Sequence, residues 1–343
     1  MIGAGVIGLS ASASLVIGGV DVTCFERFAA AMGERSAGSS RIFRLAHSEP
    51  NLVRLAMSAR DGFARWADDA GTPMVDSSGC VISGTDVIDR ASAMSTAGAK
   101  YDMIESPSDI VRLPVVVPPS PALIDPAGGV IDVDAVRAYL LARTRNILVH
   151  EPVYALDCSA EAEVTVWSSS GGSHYDSVII AAGSGTSALA AQVDIYTPPL
   201  LAHHVRFTFP IDDSSKWPAW IDNPAERLST YQHRSGPGQW SVGGQIDAEL
   251  TAWEVGREAA TAASREAILD YVRERLSVKP TIVDSLYCTH VPDMGDGVEF
   301  RRNGLVLAIY GENLMKFAPA LGAALAAAAT EGSTPTVREL AGR

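Results

Sequence analysis

The side chains best placed to do chemistry in this sequence are a few cations in apolar company. Lysine occurs only at Lys100, Lys216, Lys279 and Lys316. Lys316 falls between an apolar strand-like run, residues 305–309, and an apolar helical run, residues 317–330. That is the mouth of a strand–turn–helix, where open α/β sheets bind ligands. Residues 33–44, GERSAGSSRIFR, are small and polar and cannot build core, so the spaced Arg41 and Arg44 need another use. Lys316 therefore reads as a ligand-binding residue. The plainer alternatives are a solvated surface charge for Lys316 and, for Arg44, an ion pair with an acid such as Glu49.

Those groups need a scaffold, and the opening residues supply one. Gly3, Gly5 and Gly8 stand at G-x-G-x-x-G spacing. The first allows a tight strand-to-helix turn, the second lets a pyrophosphate approach the backbone, and the third lets the helix pack on the sheet. The helix N-terminus presents N–H groups and partial positive charge to the phosphates. Residues 20–25 alternate as a strand should and end at Glu26, where a carboxylate can accept both ribose hydroxyls. The apolar opening contains Ala-Ser-Ala, but no Lys or Arg precedes Arg27, so the basic region of a signal peptide is missing. A full first strand would need residues before Ile2, whereas the chain as given starts almost at the turn.

Composition narrows the class. With 47% apolar and 20% charged residues, the 343-residue chain suits one large or two intertwined globular domains. A net charge of −13 argues against a nucleic-acid or anionic-membrane surface. Cys24, Cys80, Cys158 and Cys288 are scattered without a C-x-x-C pair, so they read as reduced thiols of a cytoplasmic protein with no metal site. The adjacent His203 and His204 would face opposite sides of a strand and read as structural. The run 317–329 is too short to span a bilayer.

Along the chain, helices are expected from residue 6 to 17, 52 to 70, 135 to 145, 259 to 276 and 317 to 330. Asp134 is the expected N-cap of the third. Strands are expected at 20–25, 79–84, 147–150, 153–156, 177–183 and 305–309, with a hairpin around Gly171-Gly172. Residues 85–127 read as helix and loop. Residues 201–209, 229–231, 239–243 and 281–290 read as an antiparallel sheet. The class is α/β: a doubly wound, Rossmann-like domain interrupted by an antiparallel substrate domain. The boundaries are 1–78, 134–200 and 291–343 for the former and 79–133 and 201–290 for the latter.

Four motifs occur in a telling order: Gly3-x-Gly5-x-x-Gly8, Ser39-Ser40-Arg41-Ile42-Phe43-Arg44, Ala181-Ala182-Gly183 and Gly311-x-x-x-x-Lys316-Phe317-x-Pro319-x-x-Gly322. Their order resembles the FAD-dependent D-amino-acid-oxidase superfamily, within it the monomeric sarcosine oxidase, N-methyltryptophan oxidase and pipecolate oxidase branch. The resemblance covers nearly the whole chain, is specific at both ends and is weak between about 85 and 280. It implies FAD in place of NAD, a monomer, and a small amino or imino acid as the partner. Glu26 would bind the adenosine ribose, Val153 would touch adenine, and Arg41 would lie against the flavin. Arg44 and Lys316 would grip the substrate carboxylate, with Tyr231 and Trp240 beside it. The implied cofactor-binding set is Gly3, Ala4, Gly5, Ile7, Gly8, Glu26, Arg27, Ser39, Ser40, Arg41, Val153, Ala182, Gly183, Gly311, Asn313, Leu314, Met315 and Lys316. The implied chemistry is hydride transfer from the carbon beside an amine, with secondary or cyclic amines favoured. It requires orientation and electrostatic stabilisation more than an acid–base dyad.

Three departures from the family shape further expectations. The covalent-flavin cysteine position falls on Leu286, before Thr289-His290-Val291-Pro292-Asp293, and Cys288 is the only covalent candidate, so FAD is expected to be non-covalent. The glycine-rich flavin loop is the bulkier Glu312-Asn313-Leu314. The oxygen-activating lysine falls on neutral Ser241, so slow reaction with oxygen is expected unless Arg41 or His47 supplies the charge. The alternatives are a dehydrogenase or desaturase using another acceptor, or a flavin-binding protein that has lost catalysis. Trp217, Trp220, Tyr231 and Trp240 would suit an aromatic substrate, although aromatics in a sheet are more often core.

Overall fold

The structure is a computed structural model, and it describes residues 1–105, 113–117, 119, 121–212, 216–292 and 294–342. The opening glycines set its first crossover. Gly3 has φ +100°, and a Cβ there would sit 2.5 Å from the Ala181 carbonyl oxygen. A Cβ on Gly8 would sit 1.8 Å from the Gly3 carbonyl oxygen. The chain can therefore turn directly into the helix Val6–Ile17, with Gly5 as its N-cap.

Ile2 is a strand of one residue. It bridges Phe25 on one side and Ile180 on the other, both in parallel. It thereby joins Leu148–Val149 and Cys24–Phe25 to Val178–Ile180 and Val306–Gly311 in one parallel series, with Val298–Asn303 antiparallel at the edge. The expected strand over 20–25 is cut to Cys24–Phe25, because residues 20–21 lie exposed after the turn at Gly18 and Gly19. Side-chain alternation then builds two cores. Cys24, Ile179, Leu307 and Ile309 face the helices Val6–Ile17, Val133–Thr144 and Ala318–Glu331. Ile2, Phe25, Ile180 and Ala308 face the opposite layer, which includes the three-stranded antiparallel sheet Val153–Asp157, Val164–Ser168 and Gly171–Tyr175. A sheet with both faces covered is the doubly wound arrangement.

The second sheet has eight strands. Its order is Asp284–His290, Ala202–Pro210, Gln239–Gly244, Thr230–Gly236, Ala219–Asn223, Cys80–Gly84, Ala122–Asp125 and Asp102–Ile104. It is not wholly antiparallel: Ala219–Asn223 and Cys80–Gly84 run parallel. One face packs Phe207, Phe209, Trp220, Trp240 and Val242 against Ile268, Tyr271 and Val272 of the helix Arg257–Arg275. A buried chain of hydrogen bonds runs through this layer. Trp240 donates to Gln232 Oε1 at 3.0 Å, Gln232 donates to the Tyr271 hydroxyl at 2.8 Å, and Tyr271 donates to Asp222 Oδ2 at 2.8 Å. The other face carries His204, Arg206, Tyr231 and His233 toward the first domain.

Several local expectations change. Residues 85–127 hold the helix Val87–Ala97 and two of the sheet's strands. Ser40–Phe43 pairs with Gly129–Asp132 instead of remaining a loop. The N-cap of Val133–Thr144 is Asp132, which accepts from Ala135 N at 2.9 Å, and not Asp134. The hairpin turns at Ser169-Ser170, which places Gly171-Gly172 inside the returning strand. His203 stacks on Trp253 and bonds Tyr287, while His204 bonds Tyr231, as their opposite faces require. Among the described residues there is no metal-binding cluster and no helix long and apolar enough to cross a membrane.

Candidate active site

A cavity of about 1930 Å³ separates the parallel sheet's C-terminal edge from the second sheet. One small-molecule site typically needs about 300–1,000 Å³, so there is room for a dinucleotide and a substrate together. Gly3, Gly5, Ile7, Glu26, Arg27, Val153, Ala182, Gly183, Gly311, Asn313, Leu314, Met315 and Lys316 all line it.

The dinucleotide end is built around the first helix. Ser36 Oγ accepts from Val6 N at 3.0 Å, so a hydroxyl caps the helix N-terminus where a phosphate oxygen would be welcome. Glu26 is buried, and its carboxylate accepts from Ala4 N at 2.9 Å and Phe28 N at 3.0 Å. Arg27 pairs with Glu34 at 2.5 Å and donates to Ser184 Oγ at 2.8 Å on the outer rim. Thr186 and Thr197 also line the cavity, and their buried hydroxyls have no partner among the described residues. Orphaned hydroxyls of this kind fit a polar ligand that supplies the missing bonds. The close-packed glycine turn, the helix terminus, the fixed carboxylate and these hydroxyls all fit FAD.

Farther along, cations crowd one wall. Arg41 donates to the carbonyls of Ala37 and Ser40 at 2.6 and 2.8 Å. Burial and the neighbouring Arg206 lower its pKa to about 10, which still leaves it charged at neutral pH. Arg206 is buried and donates to the Ser40 carbonyl at 2.9 Å. Arg35 pairs with Glu312. Leu286 and Cys288 both reach the cavity, and burial pushes the Cys288 thiol up, against the pull of Arg41 and Arg35.

A mostly buried cluster gathers four side chains from two segments, residues 44–47 and 313–316, on one carboxylate. Arg44 Nη2 lies 2.5 Å from Asp296 Oδ2, and Lys316 Nζ lies 2.8 Å from Asp296 Oδ1. His47 Nδ1 donates to Oδ2 at 2.9 Å, and Asn313 Nδ2 donates to Oδ1 at 2.9 Å. Arg44 thus pairs with Asp296 and not with Glu49. Lys316 is 3% exposed, which excludes a solvated surface charge. Burial and Arg44 lower its pKa to about 7, against the pull of Asp296. Burial lowers His47 to about 3, so its ring is neutral. Burial opposes ionisation of Asp296, but Arg44, Lys316 and His47 together hold its carboxyl well below the usual range.

Some site residues expected from sequence lie elsewhere. Trp240 is fully buried on the helix-facing side of the sheet and cannot reach substrate. Ser241 shares a hydrogen bond of 2.9 Å with Thr208 and is not among the cavity-lining residues. His47 is neutral and sits behind Asp296, so it supplies no charge for oxygen. Ser39 and Ser40 spend their hydroxyls on Ser235 and His233 of the second sheet, not on the cavity. Ala4 and Gly8 shape the turn without lining the cavity. Asp293 lies outside the described residues. Sequence reasoning missed Ser36, Arg206 and Asp296. Ser36 carried a weak signal in the polar loop, whereas the other two carried none.

The fold and site define a doubly wound dinucleotide-cofactor domain facing a second, eight-stranded sheet. The chain belongs to the FAD-dependent oxidoreductase (DAO) family, whose model matches residues 1–328. It is therefore an FAD-dependent oxidoreductase. No curated protein matches it in sequence. Among solved structures it is similar to NikD, described as an unusual amino acid oxidase essential for nikkomycin biosynthesis. That match has TM-score 0.81 and 20% identity and covers 98% of this chain and 94% of NikD. L-proline dehydrogenase from P. horikoshii gives TM-score 0.76 at 16% identity, again covering 98% and 94%. Iminodiacetate oxidase from Chelativorans sp. gives TM-score 0.76 at 14% identity, covering 98% and 96%.

Proposed function

We propose that this flavoenzyme oxidises the C–N bond of a small amino or imino acid whose carboxylate is held by Arg44 and Lys316. The observation that carries the reading is the convergence of these two buried cations on a single carboxylate beside the cavity. NikD, the proline dehydrogenase and the iminodiacetate oxidase, all described as acting on amino or imino acids, favour the same class.

Bound FAD would supply the hydride acceptor. The protein's own groups do the rest. Ser36 and the start of the first helix would meet the pyrophosphate, Glu26 the ribose, and Val153 the adenine. Arg41 and Arg206 present fixed positive charge along the wall where anionic character develops. Arg44 and Lys316 orient the acid, while Tyr231, hydrogen-bonded to His204 at 2.7 Å, stands on the substrate-sheet wall. FAD is held without a covalent bond, because Leu286 takes the attachment position and the raised Cys288 thiol is a poor nucleophile.

Substituting Arg44→Met or Lys316→Met tests the reading. Each should weaken binding of a carboxylate such as benzoate by about 1.5–3 kcal/mol, with flavin content unchanged. Unaltered benzoate affinity in both variants would show that no clamp exists.

A further inference from the structure

The carboxylate that Arg44 and Lys316 already hold belongs to the protein. Asp296 bridges them with one oxygen on each cation, and His47 and Asn313 complete the shell. A substrate carboxylate bridging the same two cations would need the same position. We propose that Asp296 is an internal competitor for the substrate-carboxylate subsite, seated in the clamp until an incoming acid displaces it. This rests on Arg44 and Lys316 being the clamp.

Two features give the arrangement a physical reason. Without a counter-charge, two buried cations side by side would repel each other and lose hydration, so the resting site needs a carboxylate. Asp296 also sits on a segment able to give it up. Residues 294–297 line the cavity and contain Gly295, at φ +56°, and Gly297. The turn is closed by Gly297 N donating to Met294 O at 2.7 Å, and it is tied to the flavin loop by Glu312 N donating to Gly297 O at 3.1 Å. A small backbone change about the glycines would withdraw the side chain toward the cavity, and the acid would take over the same donors.

The consequence is selective. A ligand with a carboxylate can exchange with Asp296, whereas a neutral analogue cannot compensate the two cations. A neutral analogue therefore leaves Asp296 seated and is unaffected by it, whereas an acid must displace Asp296 and binds more weakly for that reason.

The test uses the flavin-loaded enzyme, with benzoate and benzamide as probes and flavin absorbance and calorimetry as readouts. Measurements are made at about pH 6, below the Lys316 value of the wild type, and repeated for the variant at about pH 5, because Asp296 raises the Lys316 pKa and its loss lowers it further. Asp296→Asn should bind benzoate at least about tenfold tighter, with no comparable gain for benzamide. Unchanged or weaker benzoate binding in that variant, with Lys316→Met still losing affinity, would overturn the competitor and leave the clamp standing. Unchanged affinity in both variants would remove the clamp and the competitor with it. Because Asp296→Asn could fail to fold, hydrogen exchange on the wild type provides a second arm. Benzoate should speed exchange at the Gly297 and Glu312 amides as the segment lets go, and slower or unchanged exchange there would overturn the proposal.

Discussion

Lys316 shows how burial sets the working range of a single side chain. Its ammonium faces Arg44 and Arg90, which disfavour charge, and Asp296, which favours it, while His47 beside it stays neutral. With its pKa lowered to about 7, the lysine is charged below that pH and neutral above it. Carboxylate affinity should therefore be intact in mild acid and fall above neutrality, approaching about tenfold per pH unit for one lost proton. Benzoate titrations from about pH 6 to pH 9 would show this, and a flat profile would mean that Lys316 is not an anchor. A second expectation at this scale concerns oxygen. Arg206, not Ser241, presents a fixed cation to the cavity. Arg206→Gln should slow reoxidation of the reduced enzyme by about tenfold or more while leaving flavin reduction by substrate nearly unchanged, and Arg206→Lys should restore most of the rate. Ser241→Lys should not accelerate it. Stopped-flow mixing with oxygen separates these outcomes.

Between elements, one tight constraint is the crossing of the first helix with Ala318–Glu331. A Cβ on Gly322 would lie 2.5 Å from Ser10 Cβ and 2.7 Å from the Ser10 carbonyl carbon. Backbone cannot yield as a flexible side chain can, so the helices would have to move apart. Gly322→Ala should cost about 1–3 kcal/mol, read as a lower thermal midpoint. Gly332→Ala, which meets no neighbouring atom but sits at φ +70°, separates pure backbone strain from this packing effect. That crossing also holds the first helix, whose start at Val6 lines the cavity.

For the molecule as a whole, the cavity lies between two sheets that share no ladder, so cofactor binding is expected to couple them. Stripping FAD should lower the thermal midpoint, and restoring it at about 100 times its dissociation constant should return about 2.7 kcal/mol. Denaturing the yellow protein and filtering it should release the flavin. Flavin retained on a peptide containing Cys288 would instead reveal a covalent bond.

What could be read without coordinates was local in the chain. The glycine turn, the acid after the second strand and the apolar strand ending at Ala182-Gly183 each depend on neighbours within one βαβ unit, and spacing alone encodes them. Arg44 and Lys316 were also legible as cations with no core to build. Their partner was not. Asp296 lies 252 residues from Arg44 and 20 from Lys316, and only the folded chain brings the three together. Trp240 and Ser241 show the other limit. They are adjacent in one strand, so pleating sends one side chain toward the helix Arg257–Arg275, and the Ser241–Thr208 bond keeps the other from the cavity. Which face meets the flavin domain, and which residue on that face reaches the cavity, is fixed by strand register and by how the two sheets pack, because those contacts join residues that the sequence keeps far apart.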